Sequence, residues 1–558
     1  MASPFGDFRD LHGSTPRAIL EAADLPSAHA HQLAQLGKDL LTDARRSDAA
    51  TIGDLKQIRQ VPTDAAEHAT RLSCAGELAA ACLRRFGTSA HSFDEQVEAL
   101  NTDVAAAPYL AILDPLNWGR EDELEPGRIR SEKKAALQGT YEKYVAQLDA
   151  SAASTALLLK SDPNDRNVIR TLFREGFIPL DAIADWPSLG LTSGDYAAYY
   201  KAVLAGLAPD VQARIKKALA DVKAASGTSD AGLDPALIAA FGGLSPAEAG
   251  IVVGLMSDDD LDRLNTALGQ SAWPLGGLST EQRISLSNLL LPTLPLFEAQ
   301  RLSQHVTEIQ PAMSGTEGSG NEDQKDLHWK WVDGELVPYG STDPSQIEQG
   351  DLGDCWFLAG LGAQVHADPS FVQDHVHDNG NGTYTVTFYR DGEPTEVTVD
   401  SALPTNSWDQ TAFTHDPGGG KWVQIYEKAY AQYNGGYSSI EGGYGDHALK
   451  DLTGEHAAKH DDDDYSAADL QGQLASGHAI TAGSESHHSG FLWHHEDETF
   501  PDHHDLVTSH EYVVVSAGDG KVTLRNPWGS NQEGIPDEVT LSEDDFHQHF
   551  GEVSVGDD

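Results

Sequence analysis

The sequence predicts a multidomain protein: an α-helical N-terminal region over residues 1–310, a flexible linker over 311–325 and an α+β domain over 326–558. Three observations carry this. Ala and Leu recur at helical spacing through the first region, as in AHAHQLAQLGKDLLTDA and GTYEKYVAQLDASAASTALLL. The run SGTEGSGNEDQKD, from Ser314, is small, polar and Gly-rich, with nothing to pack. Beyond it, GTYTVTFYR, EPTEVTVD, HEYVVVSAG and KVTLRNPWG carry β-branched and aromatic residues and predict strands.

The helical region marks its own boundaries. Gly-Leu followed by a capping hydroxyl, with an acid or amide three residues on, recurs as GLTSGD from Gly190, GLSPAE from Gly243 and GLSTEQ from Gly277. The unequal spacing favours shared capping chemistry over a degenerate repeat. DPLNWGREDELEPG and ASGTSDAGLDP read as breaks between two or more sub-domains. Cys74 and Cys82 lie eight residues apart in a helical stretch, so their Cα atoms stand about 12 Å apart, beyond disulfide reach. They read as buried small residues, and a reducing compartment is the default.

Charge excludes one class of partner. Acids outnumber bases 87 to 37, a formal charge of −50, and from residue 321 on about 45 acids stand against about 9 bases. A nucleic-acid partner calls for clustered Lys and Arg, which this chain lacks. A saline milieu, bound divalent cations and plain solubility all remain open as reasons for the acidity. There is no apolar run of eighteen residues and no basic-then-apolar start, so no membrane span is expected; the expected location is cytoplasmic, with leaderless secretion compatible. The oligomeric state is not legible.

The chemistry gathers after the linker. In QGDLGDCWFLAGL, Cys355 stands where a glycine-flanked turn becomes an apolar helix, a place that favours a thiolate. Cysteine catalysis also needs a base, a group that orients the base, and donors for the oxyanion. His510 opens a strand, Asn526 ends the next one, and a hairpin between them would bring the two together. Gln349 can fold back across the glycine-rich turn toward the space over the thiol. Asparagine as third member holds an imidazole without adding negative charge.

These segments resemble the calpain-type cysteine proteases of the papain-like superfamily. QGDLGDCWFLAGL is similar to the family's glutamine leader and Cys-Trp helix, WVQIYEKAYAQYNGGYSSIEGG with ALKDLTG to its central helix and glycine pair, and HEYVV…LRNPWG to its His and Asn segment. The resemblance covers roughly residues 325–556 and ends in LSEDDFHQHFGEVSV. It implies a papain-like core with a helical subdomain carrying Cys355 and a β-rich subdomain carrying His510 and Asn526. Cys355 would be the nucleophile, His510 the general base and then acid, and Asn526 the orienting group. Gln349 with the Cys355 N–H would form the oxyanion hole, Trp528 would shield the Asn–His contact, and Gly442 and Gly443 would lie against an extended protein substrate. A thiol pKa well below the usual 8.5 is expected.

Calcium dependence does not follow from the resemblance. Gln346 stands where the family has an acidic ligand, the segment after RNPWG is short, and no EF-hand pattern occurs. The expected enzyme is a calcium-independent or weakly calcium-dependent endopeptidase performing limited proteolysis, with no required cofactor and no metal site. Ser509 and Glu511 replace the family's usual Gly and Ala beside the histidine; by strand alternation Glu511 is expected on the face opposite His510. The His-rich loop HHSGFLWHHEDETFPDHHD reads as a pH-responsive or solvated gating loop, with a transition-metal site as the alternative, and the DDDD run at 461–464 as an exposed loop, with calcium binding as the alternative. Two rival functions are a scaffold or delivered effector whose protease core is inert or only self-cleaving, and a Cys-His acyltransferase of transglutaminase type, against which Asn526 argues.

Overall fold

The computed structural model describes residues 56–112, 126–183, 189–225, 235–269, 275–313, 327–338, 342–486, 499–529 and 535–556, with a few short stretches besides. The polar run from Ser314, most of both predicted breaks and much of the His-rich loop lie outside the described residues. The chain divides into two compact units after Leu207.

The first unit is helical, dominated by Lys56–Ile112 and Pro126–Leu158. Phe93, Val97, Leu100 and Val104 form a seam at alternating spacings of four and three, packed against Leu137, Tyr141, Tyr144 and Leu148. Contacts run in opposite senses along the two helices: Arg85 donates to Ser154, Ser151 donates to Ser89, and Phe93 meets Tyr141. The pair is therefore an antiparallel hairpin closed by a narrow apolar seam. Cys74 and Cys82 are buried and free on the first of these helices, and burial pushes the Cys82 thiol up to about 11. A capping box opens the helix Ser193–Gly206, where Asp195 accepts from the Thr192 N–H at 2.9 Å.

In the second unit, capping boxes begin Pro246–Gly254, with Ser245 and Glu248, and Thr280–Leu290, with Ser279 and Gln282. Each supplies acceptors for N–H groups that the helix itself leaves unpaired, worth about 1 kcal/mol. The helices Thr280–Leu290 and Leu296–His305 belong to the same compact unit as the α+β residues and reach them through polar side chains. Asn288 donates to the Glu396 carbonyl at 2.8 Å and accepts from the Thr398 N–H at 2.7 Å, so one amide completes the edge of the strand Glu393–Asp400. That strand pairs antiparallel with Thr383–Arg390 over its full length.

Three helices and six strands frame the site. They are α1 (Cys355–Ala367), α2 (Trp422–Asn434), α3 (Gly445–Thr453), β1 (Ala457–His460), β2 (Ile480–Ser484), β3 (Glu511–Gly518), β4 (Lys521–Arg525), β5 (Glu538–Ser542) and β6 (Phe550–Gly556). The sheet order is β5-β4-β3-β2-β6-β1, all neighbours antiparallel. Helix α1 is apolar nearly all round, as a helix buried on every side must be. Its bulky residues, Phe357, Leu358 and Leu361, join the aromatic cluster around α2, where Phe357 stacks on Tyr430 with centroids 3.9 Å apart. Its small residues, Ala359 and Ala363, meet Val513 of β3. A separate apolar cluster fills the other part of the sheet, around Leu470, Val522 and Phe546. The N-terminus of α1 thus opens where two apolar clusters meet.

One buried ion pair ties these parts together. Lys428 of α2 and Asp400 are both wholly buried, with Nζ 2.5 Å from Oδ1. Lys428 also donates to the carbonyls of Asp400 and Ala402, and burial pulls its ammonium below the ordinary value against the pull of Asp400. The second oxygen of Asp400 accepts from Ser303 and from Gln310 Nε2, both in the helical segment. Removing one partner of such a pair strands the other charge, at a cost of about 3–5 kcal/mol. Asp400→Asn is expected to lower the unfolding free energy of the second unit by that amount, read from urea denaturation followed by tryptophan fluorescence.

Candidate active site

Cys355 is the first residue of α1 and is half-buried in the wall of an open cleft. The backbone N–H groups of Trp356, at the helix start, and of Glu511, on β3, favour a thiolate at its sulfur. Trp356 anchors the turn by donating to the Ile440 carbonyl at 2.9 Å. His510 and Gln349 line the same cleft, as do Gly442, Gly443 and Trp528. A Cβ on Gly443 would stand 2.4 Å from the Trp356 indole, so only glycine lets this wall close over the tryptophan. Gly442 has φ +74, a conformation that favours glycine as well.

The hairpin β3–β4 sets the next pair. Val513 faces Arg525, and Asn526 follows directly, so its side chain reaches back to His510. His510 Nε2 lies 2.8 Å from Asn526 Oδ1. The same oxygen accepts from the Trp528 N–H at 2.9 Å, which assigns it as the amide oxygen. His510 therefore carries its proton on Nε2, and Nδ1 is the free basic nitrogen. The Trp528 ring lies 4.8 Å from the imidazole and covers it, and Tyr512 packs edge-on from the other side at 5.1 Å.

Other contacts stand differently from the pairings above. Among the described residues, no hydrogen bond joins Cys355 to His510. Gln349 turns its amide nitrogen to the Leu352 carbonyl at 2.6 Å and to Asp354 at 3.3 Å. Gln346 closes a capping box with Asp343, accepting from its N–H at 2.9 Å. The DDDD run makes a short turn, in which Asp462 pairs with His547 at 2.9 Å.

The electrostatics also differ from the expected thiolate. Burial pushes the Cys355 thiol up to about 12, with the charges of Glu511 and Asp354 adding to it and the two N–H groups opposing. Burial pulls His510 down to about 4, against its bond to Asn526. With no opposite charge in contact with the sulfur, desolvation outweighs the helix terminus. The two groups face the cleft as neutral thiol and neutral imidazole.

Glu511 stands as strand alternation expects. Its carboxyl accepts from Thr481, which pairs with Val513, so Glu511 shares a face with Val513, while His510 packs its ring against Tyr512 on the other. Ser509, with φ +48, turns the chain just before His510. Sequence reasoning missed Glu427, buried in α2. Its carboxyl faces that of Asp354, and burial raises both: Asp354 is pushed up to about 7 against the hydrogen bond from Glu427, and Glu427 is pushed well above its ordinary value by burial and by the Asp354 charge. Apolar spacing in EKAYAQYN hides such an acid, because one charged residue in a helix normally signals a solvated face.

Residues 315–534 match the calpain family of cysteine proteases. That range contains Cys355, His510 and Asn526. Residues 315–534 are a calpain-type protease domain. Calpain-type cysteine protease DEK1 of Arabidopsis thaliana is 34% identical over 206 residues, which is 35% of this chain and 9% of that protein. Calpain-type cysteine protease ADL1 of Oryza sativa subsp. japonica is 35% identical over 204 residues, again 9% of its length. The rat calpain-2 catalytic subunit is 28% identical over 256 residues, 42% of this chain and 34% of the relative. The chain thus spans about a tenth of the plant relatives and about a third of calpain-2, and the likeness to all three is confined to less than half of this chain. No described helix is long and apolar enough to cross a membrane.

A raised thiol pKa leaves little thiolate at neutral pH. Alkylation of Cys355 by iodoacetamide in the substrate-free full chain is therefore expected to be slower at pH 7 than that of a small free thiol, with the rate still climbing at pH 9. Intact mass spectrometry of timed samples reads it.

Proposed function

We propose that the chain is a calpain-like cysteine endopeptidase that performs limited proteolysis through Cys355, His510 and Asn526. The observation that carries this reading is the His510–Asn526 hydrogen bond, which leaves Nδ1 as a base in the same cleft as a helix-initiating cysteine. We read the domain as papain-like, with the aromatic cluster around α2 and the separate sheet cluster as its two subdomains. Extended protein segments would lie between them, against Gly442 and Gly443. Asp351, Glu441, Glu485, Glu511 and Glu552 line the cleft with no lysine or arginine among the described lining residues, a field that repels acidic segments.

The reaction follows from the groups present. His510 Nδ1 takes the proton from Cys355 Sγ, and the sulfur attacks the peptide carbonyl carbon. The oxygen gains the negative charge, for which the Cys355 N–H and the Gln349 amide are the donors. The C–N bond then breaks, His510 returns its proton to the amine, and a thioester remains. Water, deprotonated by His510, attacks the thioester and frees the acid and the thiol. For the first step Nδ1 must reach the sulfur, and for the second Gln349 must leave the Leu352 carbonyl. Asn526 holds the imidazole through both.

The reading requires no metal cofactor. Gln346 is a neutral residue engaged in its capping box, and Asp416 already accepts from the N–H groups of Gly418 and Gly420. Three free cysteines fit work in a reducing compartment.

Incubation of the purified chain with casein tests this. Wild type is expected to cleave casein in EDTA as well as in calcium, and Cys355→Ala to cleave neither casein nor its own chain; identical digests from the two proteins would sink the reading. Gln349→Ala is expected to lower kcat about 10²–10³-fold with KM little changed, the loss typical of one oxyanion donor.

A further inference from the structure

Beside the proposed nucleophile stands a carboxyl that the reaction above does not use. Glu511 is 5% exposed, and its side chain accepts from Thr481 Oγ1 at 2.5 Å. Thr481 is on β2 and fully buried, so this bond fixes the carboxyl from beneath. On the sheet, Glu511 and Glu552 flank Gly483 in register, one on each side. A Cβ at Gly483 would meet both, Glu552 Cγ at 2.8 Å and Glu511 Oε2 at 3.1 Å. The missing side chain therefore leaves two carboxyls facing across a glycine. From the helix side, a Cβ at Gly445 would stand 2.5 Å from Glu511 Oε1, so α3 closes the opposite wall. Glu511 and Cys355 line the same cleft, and the Glu511 backbone N–H favours a thiolate there. One residue thus favours the charged sulfur with its backbone and opposes it with its acid.

We propose that Glu511 is a positioning residue that sets the charge of Cys355: the thiolate forms while Glu511 is protonated and is suppressed when Glu511 ionises. This rests on the reading of Cys355 as the nucleophile. Two negative charges in the wall of one cleft, shielded from water, oppose each other strongly. The ion pair of thiolate and imidazolium is neutral as a whole, and Glu511 bears on its sulfur end, so an ionised Glu511 works against the pair.

The groups around Glu511 come from every neighbouring element. Cys355 of α1 and Asp446 of α3 bear on it, as do Glu552 of β6 and Lys459 of β1; His510 precedes it in the chain, just before β3 begins. Lys459 is the one cation of the set, and it is committed to Glu552 at 2.6 Å. Burial pushes Glu511 up to about 8, with Glu552 and Asp446 adding to it, against the Thr481 bond and Lys459. Glu511 is therefore protonated at neutral pH and loses its proton as the solution becomes alkaline. The sign follows: proteolysis falls as pH rises through the Glu511 titration.

Glu511→Gln, which keeps a polar side chain of the same shape and cannot ionise, tests this in the full chain. The pH dependence of Cys355 alkylation by iodoacetamide is expected to shift about one unit downward, making reaction at pH 9 about tenfold faster than in wild type. The alkaline limb of kcat/KM on casein is expected to move upward together with it. Glu552→Gln removes a like charge and frees Lys459 toward Glu511, so it should move the wild-type alkaline limb downward, the opposite direction. Alkylation profiles of Glu511→Gln and wild type that superimpose, with both proteins showing the same unfolding midpoint, would overturn the inference. Should Glu511→Gln fail to fold, a Glu552→Gln limb that does not move downward overturns it. The alkylation readout needs no proteolysis, so this outcome is separate from that of Cys355→Ala on casein.

Discussion

Asp400 is where the second unit is joined. A carboxylate without access to water must find its partners in the protein, and this one takes them from three directions: the ammonium of α2, the N–H of Ala402 and the side chains of Ser303 and Gln310. No single element could supply that set. The helices before the calpain-type match are therefore not a detachable preface to it, since two of the donors lie there. Because α2 also stacks on α1 through Tyr430 and Phe357, the position of the Cys355 helix depends in turn on this buried ion pair.

The cleft shows how far burial outweighs local features. A helix terminus and two N–H groups favour a thiolate by amounts typical of single dipoles, whereas taking a sulfur out of water beside two acids costs more. The thiol stays protonated and the imidazole stays neutral. In the proposed reaction, proton transfer is then a step that substrate completes, by excluding water and drawing the two groups together. Acids raised by burial recur beside the sulfur, as Asp354 with Glu427 and as Glu511, so little fixed charge stands next to it even though other acids line the cleft.

Much of this was legible beforehand. Capping boxes at Thr192, Ser245 and Ser279, the strands Thr383–Arg390 and Glu393–Asp400, and the helices α1 and α2 all follow from local patterns, because a cap or a period is decided within a few residues. So does the meeting of His510 and Asn526, since a short hairpin fixes which residues stand across from each other. The charge of Glu511 was not legible, because it depends on Thr481 and Glu552, which neighbouring strands bring beside it.

What the sequence by itself determined is the set of chemical groups and the elements that carry them: a cysteine at a helix start, a histidine and an asparagine on neighbouring strands, and a glutamine before a glycine turn. What only the tertiary structure decided is their charge and their present partners. Protonation depends on how much water each group retains and which charges lie within a few ångströms, and these come from residues as distant in the chain as Glu427, Thr481 and Glu552. No local pattern brings such residues together; the packing of α1 between two apolar clusters does.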